Sequence, residues 1–106
     1  MNSETGASAR SRVFSVEKVS DRFLTFSGRL HAAHVEEVRE VLGSLKESCT
    51  LDCQHLVYIS SAGLMAIIDN QYRLQGLGHA IKLINLNPHL RELFEVAGLD
   101  IVLDWD

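Results

Sequence analysis

The chain has 106 residues, 46% of them hydrophobic and 23% charged, with one proline and a formal net charge of −4, which suits a single small domain with one core. A net negative chain lacks the attraction that phosphate backbones and anionic lipids exert on basic proteins, so no nucleic-acid partner is expected. No apolar stretch reaches the ~20 residues of a membrane span, so no membrane insertion and a cytoplasmic location are expected.

Residues 1–12, MNSETGASARSR, contain neither an apolar run to bury nor the apolar segment of a signal peptide, and read as a flexible N-terminal tail before a domain at 13–106. VFSVEKV (13–19) then places Phe14 and Val16 at alternate positions, and FLTFS (23–27) does the same with Leu24 and Phe26. Joined through Ser20, Asp21 and Arg22, they predict an antiparallel hairpin whose second strand ends at Gly28. From Ala33 the period changes. Val35, Val38, Val41, Leu42 and Leu45 recur at helical spacing opposite Glu36, Glu37, Arg39 and Glu40, which predicts an amphipathic helix. TLDC (50–53) reads as a short strand, and HLVYI carries the chain onward. Cys49 and Cys53 share a face of such a strand about 13 Å apart at ~3.3 Å per residue, too far for a disulfide, so both are expected as reduced packing residues.

YISSAGL (58–64) follows, with two adjacent hydroxyls where strand-like sequence gives way to a helical stripe of Leu64, Ile67, Ile68 and Leu74. Gly76 and Gly78 are expected in left-handed conformations that end this helix. AIKLINL (80–86) has the composition of a buried strand. Asn87 is placed to cap a third helix with Pro88 at its first position, Leu90, Leu93, Phe94 and Ala97 on its buried stripe, and Gly98 closing it. IVLDW (101–105) reads either as an edge strand or as a packed tail. Strands joined through helices imply parallel pairs, and the hairpin adds an antiparallel one. The expected fold is therefore α/β, a mixed β-sheet with helices packed mainly on one face, because so short a chain leaves little to cover the other.

Two readings of Ser60 and Ser61 stand side by side. One hydroxyl can cap the helix, although Gly63 and Leu64 stand where a capping box would need Glu or Gln. Alternatively, a serine at the positive end of a helix can carry a phosphate, since the first-turn N–H groups and the dipole favour negative charge. Gly63 leaves room for close approach by another backbone. Met65 begins an apolar run around most of the helix and is a candidate contact for a partner. A hydrolase built from Ser61, a histidine and Asp52 lacks the Gly-x-Ser-x-Gly elbow and an oxyanion hole. His31 and His34 have no third metal ligand beside them, and no phosphate-binding or dinucleotide glycine loop is present. No cofactor or metal is expected.

The order and spacing of SGRL before the first helix, LD at the end of the third strand, ISSAGL, and GLGHAIKLINLNPHLRELFEVAGL resemble the STAS domain family, and within it the free-standing anti-sigma factor antagonists of bacteria. The resemblance covers most of residues 13–104. It implies a regulatory protein and not an enzyme: in the family the loop usually reads Asp-Ser-Ser/Thr-Gly, and its serine accepts phosphate from a kinase that is also the anti-sigma factor. By position the aspartate falls on Ser60, the phosphoacceptor on Ser61, the second hydroxyl residue on Ala62 and the glycine on Gly63. The family's acidic residue after the glycine turn is replaced by His31. The resemblance thus implies phosphorylation at Ser61, partner contacts through Ser60, Ala62, Gly63, Met65 and His31, an anti-sigma factor serine kinase as partner, and a phosphatase to reset the switch. A related alternative is a STAS docking subunit of another assembly, such as a lipid ABC transporter, that works without phosphorylation.

Overall fold

The computed structural model describes residues 13–106, so the expected tail at 1–12 lies outside the described residues. The strands are β1 (Ser15–Ser20), β2 (Phe23–Leu30), β3 (Cys49–Ile59), β4 (Ile81–Ile84) and β5 (Asp104–Trp105). The helices are α1 (Val35–Gly43), α2 (Ser61–Gln75) and α3 (Pro88–Val96), with single 3-10 turns at Ala32–His34 and Leu99–Ile101. The sheet runs β1-β2-β3-β4-β5, antiparallel at β1/β2 and parallel elsewhere, which is the expected mixed sheet. The C-terminal segment is the edge strand of the two alternatives.

Side-chain alternation explains the layers. Leu24, Leu51, Leu83 and Trp105 stand in register across four strands, and the three leucines are fully buried. This row joins Val38 and Leu42 of α1, Ala66, Ile67 and Leu74 of α2, and Leu90 and Phe94 of α3 in one core. On the opposite face the in-register residues are Glu17, Thr25, Asp52 and the half-buried Ile84, with Thr50 beside Lys82, and none of them is fully buried. The helices therefore cover one face, and the other meets water with polar side chains, as period-two alternation requires.

Polar side chains tie the helices to one another and to the sheet, while the buried Trp105 Nε1, packed against Phe94, has no hydrogen-bond partner among the described residues. Arg73 Nη2 donates to the Leu42 carbonyl at 2.8 Å, so a side chain of α2 takes up a carbonyl at the end of α1. The buried Gln71 accepts from the Ile81 N–H at 2.7 Å and fixes the start of β4. Arg39 and Asp69 add an ion pair between the same two helices at 3.1 Å.

Three local expectations are corrected. β2 does not end at Gly28 but passes through it to Leu30. Gly28 has φ of 86°, and a Cβ there would lie 2.0 Å from the Val13 carbonyl oxygen, so the glycine admits the crossing of residues 13–14 and does not mark a turn. β3 is one strand of 11 residues and not a short TLDC piece. Gly78 and Gly98 adopt positive φ as expected, whereas Gly76 is right-handed at φ −64°.

Gly28 and Gly43 should respond oppositely to alanine. Gly28→Ala combines positive φ with a backbone clash and should cost at least ~2 kcal/mol. Gly43→Ala, at the end of α1 with nothing within 4 Å of a new Cβ, should stabilise by ~0.5–1 kcal/mol. Urea denaturation of both variants measures the contrast.

Candidate functional site

The end of β3 and the start of α2 are joined by one residue. Ser60 is extended, with φ −81° and ψ 165°, and its side-chain oxygen accepts from the Gly63 N–H at 3.1 Å. Its backbone N–H donates to the Leu30 carbonyl at 2.8 Å, and its carbonyl accepts from the Leu64 N–H at 2.9 Å. Ser60 is thus both the last rung between β2 and β3 and the cap of α2. Ser61 and Ala62 are the first two residues of the helix, and both are exposed. Their N–H groups are among the first-turn donors that no carbonyl of the helix can reach. The two hydroxyls therefore divide the roles that the sequence left open: Ser60 caps, and Ser61 projects from the positive end of the dipole.

Gly63 lies beneath this turn. It is buried, and a Cβ there would stand 2.7 and 2.9 Å from side-chain atoms of Leu30. Within the fold the close approach at Gly63 is to the Leu30 side chain, and it supports the turn from inside. Met65 is 48% exposed one turn further along.

Beside the serines runs a crease of about 280 Å³ lined by Tyr58, Ile59, Ser60, Ser61, Leu64, His89, Leu90 and Leu93. Its second wall is α3, set in place by Asn87. The Asn87 side chain accepts from the Leu90 N–H at 2.8 Å and donates to the Leu56 carbonyl of β3 at 3.1 Å, so one amide caps the helix and ties it to the strand. Leu93, expected on the buried stripe, is 40% exposed because it faces this crease.

The rim on the β2 side is aromatic and basic. The Arg29 guanidinium lies 5.0 Å from the centre of the Tyr58 ring, and the exposed His31 ring is 5.1 Å from it. His34 stands 6.4 Å from His31 and 5.5 Å from Phe14. Two bulges bring these groups together. Between Thr25 and Leu30 of β2, β3 advances from Asp52 to Ile59 with register shifts at both Ser27 and Arg29, which bends the strand end and re-aims its side chains. Arg29 and Tyr58 were not singled out as site residues from the sequence, because a strand with two bulges breaks the alternation by which facing side chains are read, and His89 and Leu93 join the site only through the way the third helix packs beside β3.

The other chemical possibilities are not assembled. Asp52 sits near the start of β3, accepting from Asn85 Nδ2 at 3.0 Å and from the Gln54 N–H at 3.1 Å, and does not join Ser61 in a triad. His89 shares the crease with Ser61, but no hydrogen bond links them among the described residues. Burial pushes the Cys49 thiol up to about 11, partly offset by Arg73, and that of Cys53 up to about 12, with Asp52 adding to it. Neither is a thiolate at neutral pH. Among the described residues no group of His, Cys, Asp and Glu could hold a metal, and no helix is long and apolar enough to cross a membrane.

A family model described as "Mlab, STAS domain" matches residues 13–104. The chain is 32% identical over 75 residues to BtrV of Bordetella bronchiseptica, a candidate anti-sigma factor antagonist, covering 67% of this chain and 65% of that protein, just under two thirds of its length. Among solved structures it is similar to the Bacillus cell fate determinant SpoIIAA in its phosphorylated form, with a TM-score of 0.64, 20% identity, and 89% and 91% of the two chains covered. It is also similar to an anti-sigma factor antagonist from Mycobacterium paratuberculosis, with a TM-score of 0.71, 16% identity, and 88% and 83% coverage. At these identities the structural likenesses show the fold.

The division between the serines is measurable without any partner. Ser60→Ala should lower stability by about 1 kcal/mol by removing the cap, whereas Ser61→Ala should change it by less than ~0.5 kcal/mol, as for an exposed surface position. Gly63→Ala should cost ~1–3 kcal/mol by overpacking Leu30. Chemical denaturation of the three variants gives the ranking.

Proposed function

Because this chain belongs to the STAS domain family, we propose that it is an anti-sigma factor antagonist whose hold on its partner is set by phosphorylation of Ser61. The observation that carries this reading is the exposure of Ser61 at the first position of α2, at the mouth of an apolar crease, while Ser60 satisfies the helix end. A likeness to BtrV, a relative named for anti-sigma factor antagonism, and the fold shared with a protein solved in a phosphorylated form support it.

The physics of the switch is local. With Ser61 unmodified, the crease and its rim present apolar surface from Leu64, Leu90 and Leu93 beside a neutral hydroxyl, a surface on which an anti-sigma factor can bury an apolar side chain. Docking there removes the anti-sigma factor from its sigma factor. Phosphate on Ser61 adds about −1.5 to −2 charges and three acceptor oxygens. The helix N-terminus tolerates that charge, so the fold remains while the docking face becomes bulky and costly to desolvate. The kinase activity belongs to the anti-sigma partner, which supplies ATP, and a separate phosphatase restores the hydroxyl. The chain itself is a bacterial, cytoplasmic phosphoprotein acting in transcription regulation, with Ser60, Ala62, Met65 and His31 around the contact and Gly63 supporting it from beneath.

A second reading keeps the same docking face and removes the phosphorylation, making the chain a STAS subunit of another assembly such as a lipid ABC transporter. Ser60, standing where the family usually has an acidic residue, favours it.

Incubation with a cognate kinase and ATP, followed by intact-mass measurement, separates the two. One phosphate should appear on the parent chain and on Ser60→Ala, and none on Ser61→Ala. Phosphate on Ser60 would overturn the assignment to Ser61, and none on any form despite tight partner binding would favour the non-phosphorylated subunit.

A further inference from the structure

Five arginines lie among the described residues, and four have an oxygen acceptor. Arg22 pairs with Glu47, Arg39 with Asp69 and Arg91 with Asp106, while Arg73 donates to the Leu42 carbonyl. Arg29 has no carboxylate or carbonyl partner among the described residues. Its guanidinium lies over the Tyr58 ring instead, an arrangement that holds the cation in place while leaving its N–H donors free for an anion.

The position of that cation is informative. Arg29 is in register with Tyr58, and the next residue, Leu30, accepts the backbone hydrogen bond of Ser60 at 2.8 Å. The Tyr58 ring lines the crease that holds Ser60 and Ser61. Tyr58 thus connects the two: the Arg29 guanidinium lies over its ring, and the residue lines the crease that opens at the exposed hydroxyl. The ionisable groups of the crease and its β2 rim are Arg29 and His31 from the β2 side, Tyr58 from β3 and His89 from α3, and no carboxylate lines the crease.

Resting on the reading of Ser61 as phosphoacceptor, we propose that Arg29, poised on Tyr58 beside His31, is the intramolecular counter-ion for a phosphate on Ser61. A guanidinium matches a phosphate with two parallel N–H donors. Phosphorylation then changes the docking rim twice: it adds an anion at the mouth of the crease and occupies the cation that the unmodified face offers. An acidic group on a partner loses its contact at the same moment as it meets repulsion, so the switch is sharper than the phosphate's bulk alone would make it.

The test needs neither kinase nor partner. Phosphoserine is inserted at position 61 during translation, and the second ionisation of its phosphate, ordinarily near pH 6, is followed by ³¹P NMR. A unit positive charge paired with the phosphate, ~4 Å away in water-like surroundings, is worth roughly 0.8 pH unit. The phosphorylated Arg29→Gln chain should therefore titrate about 0.8 pH unit above the phosphorylated parent, and Arg29→Lys should stay nearer the parent. Arg39→Gln, which removes a guanidinium already committed to Asp69 between α1 and α2, should titrate with the parent. An Arg29→Gln titration that overlays the parent, or an equal displacement in Arg39→Gln, would overturn the assignment. Because the phosphate is placed by translation, that failure concerns Arg29 alone, whereas a cognate kinase that leaves Ser61 unmodified refutes the functional reading itself.

Discussion

The single residue between β3 and α2 constrains everything around it. Ser60 has its N–H bound to Leu30, its carbonyl bound to the Leu64 N–H and its side-chain oxygen bound to the Gly63 N–H. A residue so fully engaged cannot move without breaking a sheet rung, the first helical hydrogen bond and the helix cap together. Its neighbour is correspondingly defined: Ser61 is fixed in position by the backbone while its side chain is left in solvent. A rigid backbone carrying a free hydroxyl is what a modification site needs, because the added group then changes a surface and not a fold.

Around that junction the chain uses few residues for several tasks. Gly63 lets Leu30 fill the space under the first turn, which brings the end of β2 against α2 and sets the depth at which Ser61 emerges. Asn87 caps α3 and anchors it to β3 with the same amide, which places His89 and Leu93 opposite the serines. The two bulges in β3 bend its end toward Arg29 and His31. The crease and its basic rim are therefore consequences of how β2, β3, α2 and α3 converge at the C-terminal ends of parallel strands, where open α/β sheets commonly bind their partners.

Much of the fold is legible in the sequence, for reasons that are local. Leu24 and Phe26 alternate cleanly, α1 carries a strict apolar stripe, and Asn87-Pro88 is a helix start written in two residues. The chemistry of Ser60 and Ser61 is legible as a pair, but their separate roles depend on where the helix begins, to within one residue, and periodicity does not resolve that. Gly28 reads as a strand end because its purpose, passing beneath the Val13 carbonyl, involves a segment far off in sequence that meets it only through the pairing of β1 with β2. Arg29 and Tyr58 are hidden for a related reason. Gln54 and His55 are both exposed in succession, so alternation along β3 fails before Tyr58 is reached, and only the paired strands show which side chains meet.

The central claim is that the neutral hydroxyl of Ser61, at the mouth of this crease, decides whether the chain holds an anti-sigma factor. The most direct measurement is isothermal titration calorimetry of the purified anti-sigma partner against the unmodified chain and against the chain carrying phosphoserine at position 61, at one pH and ionic strength. The account predicts at least a tenfold weaker Kd for the phosphorylated chain, roughly 1.4 kcal/mol or more, with both forms equally folded. Equal affinities for the two forms would contradict it.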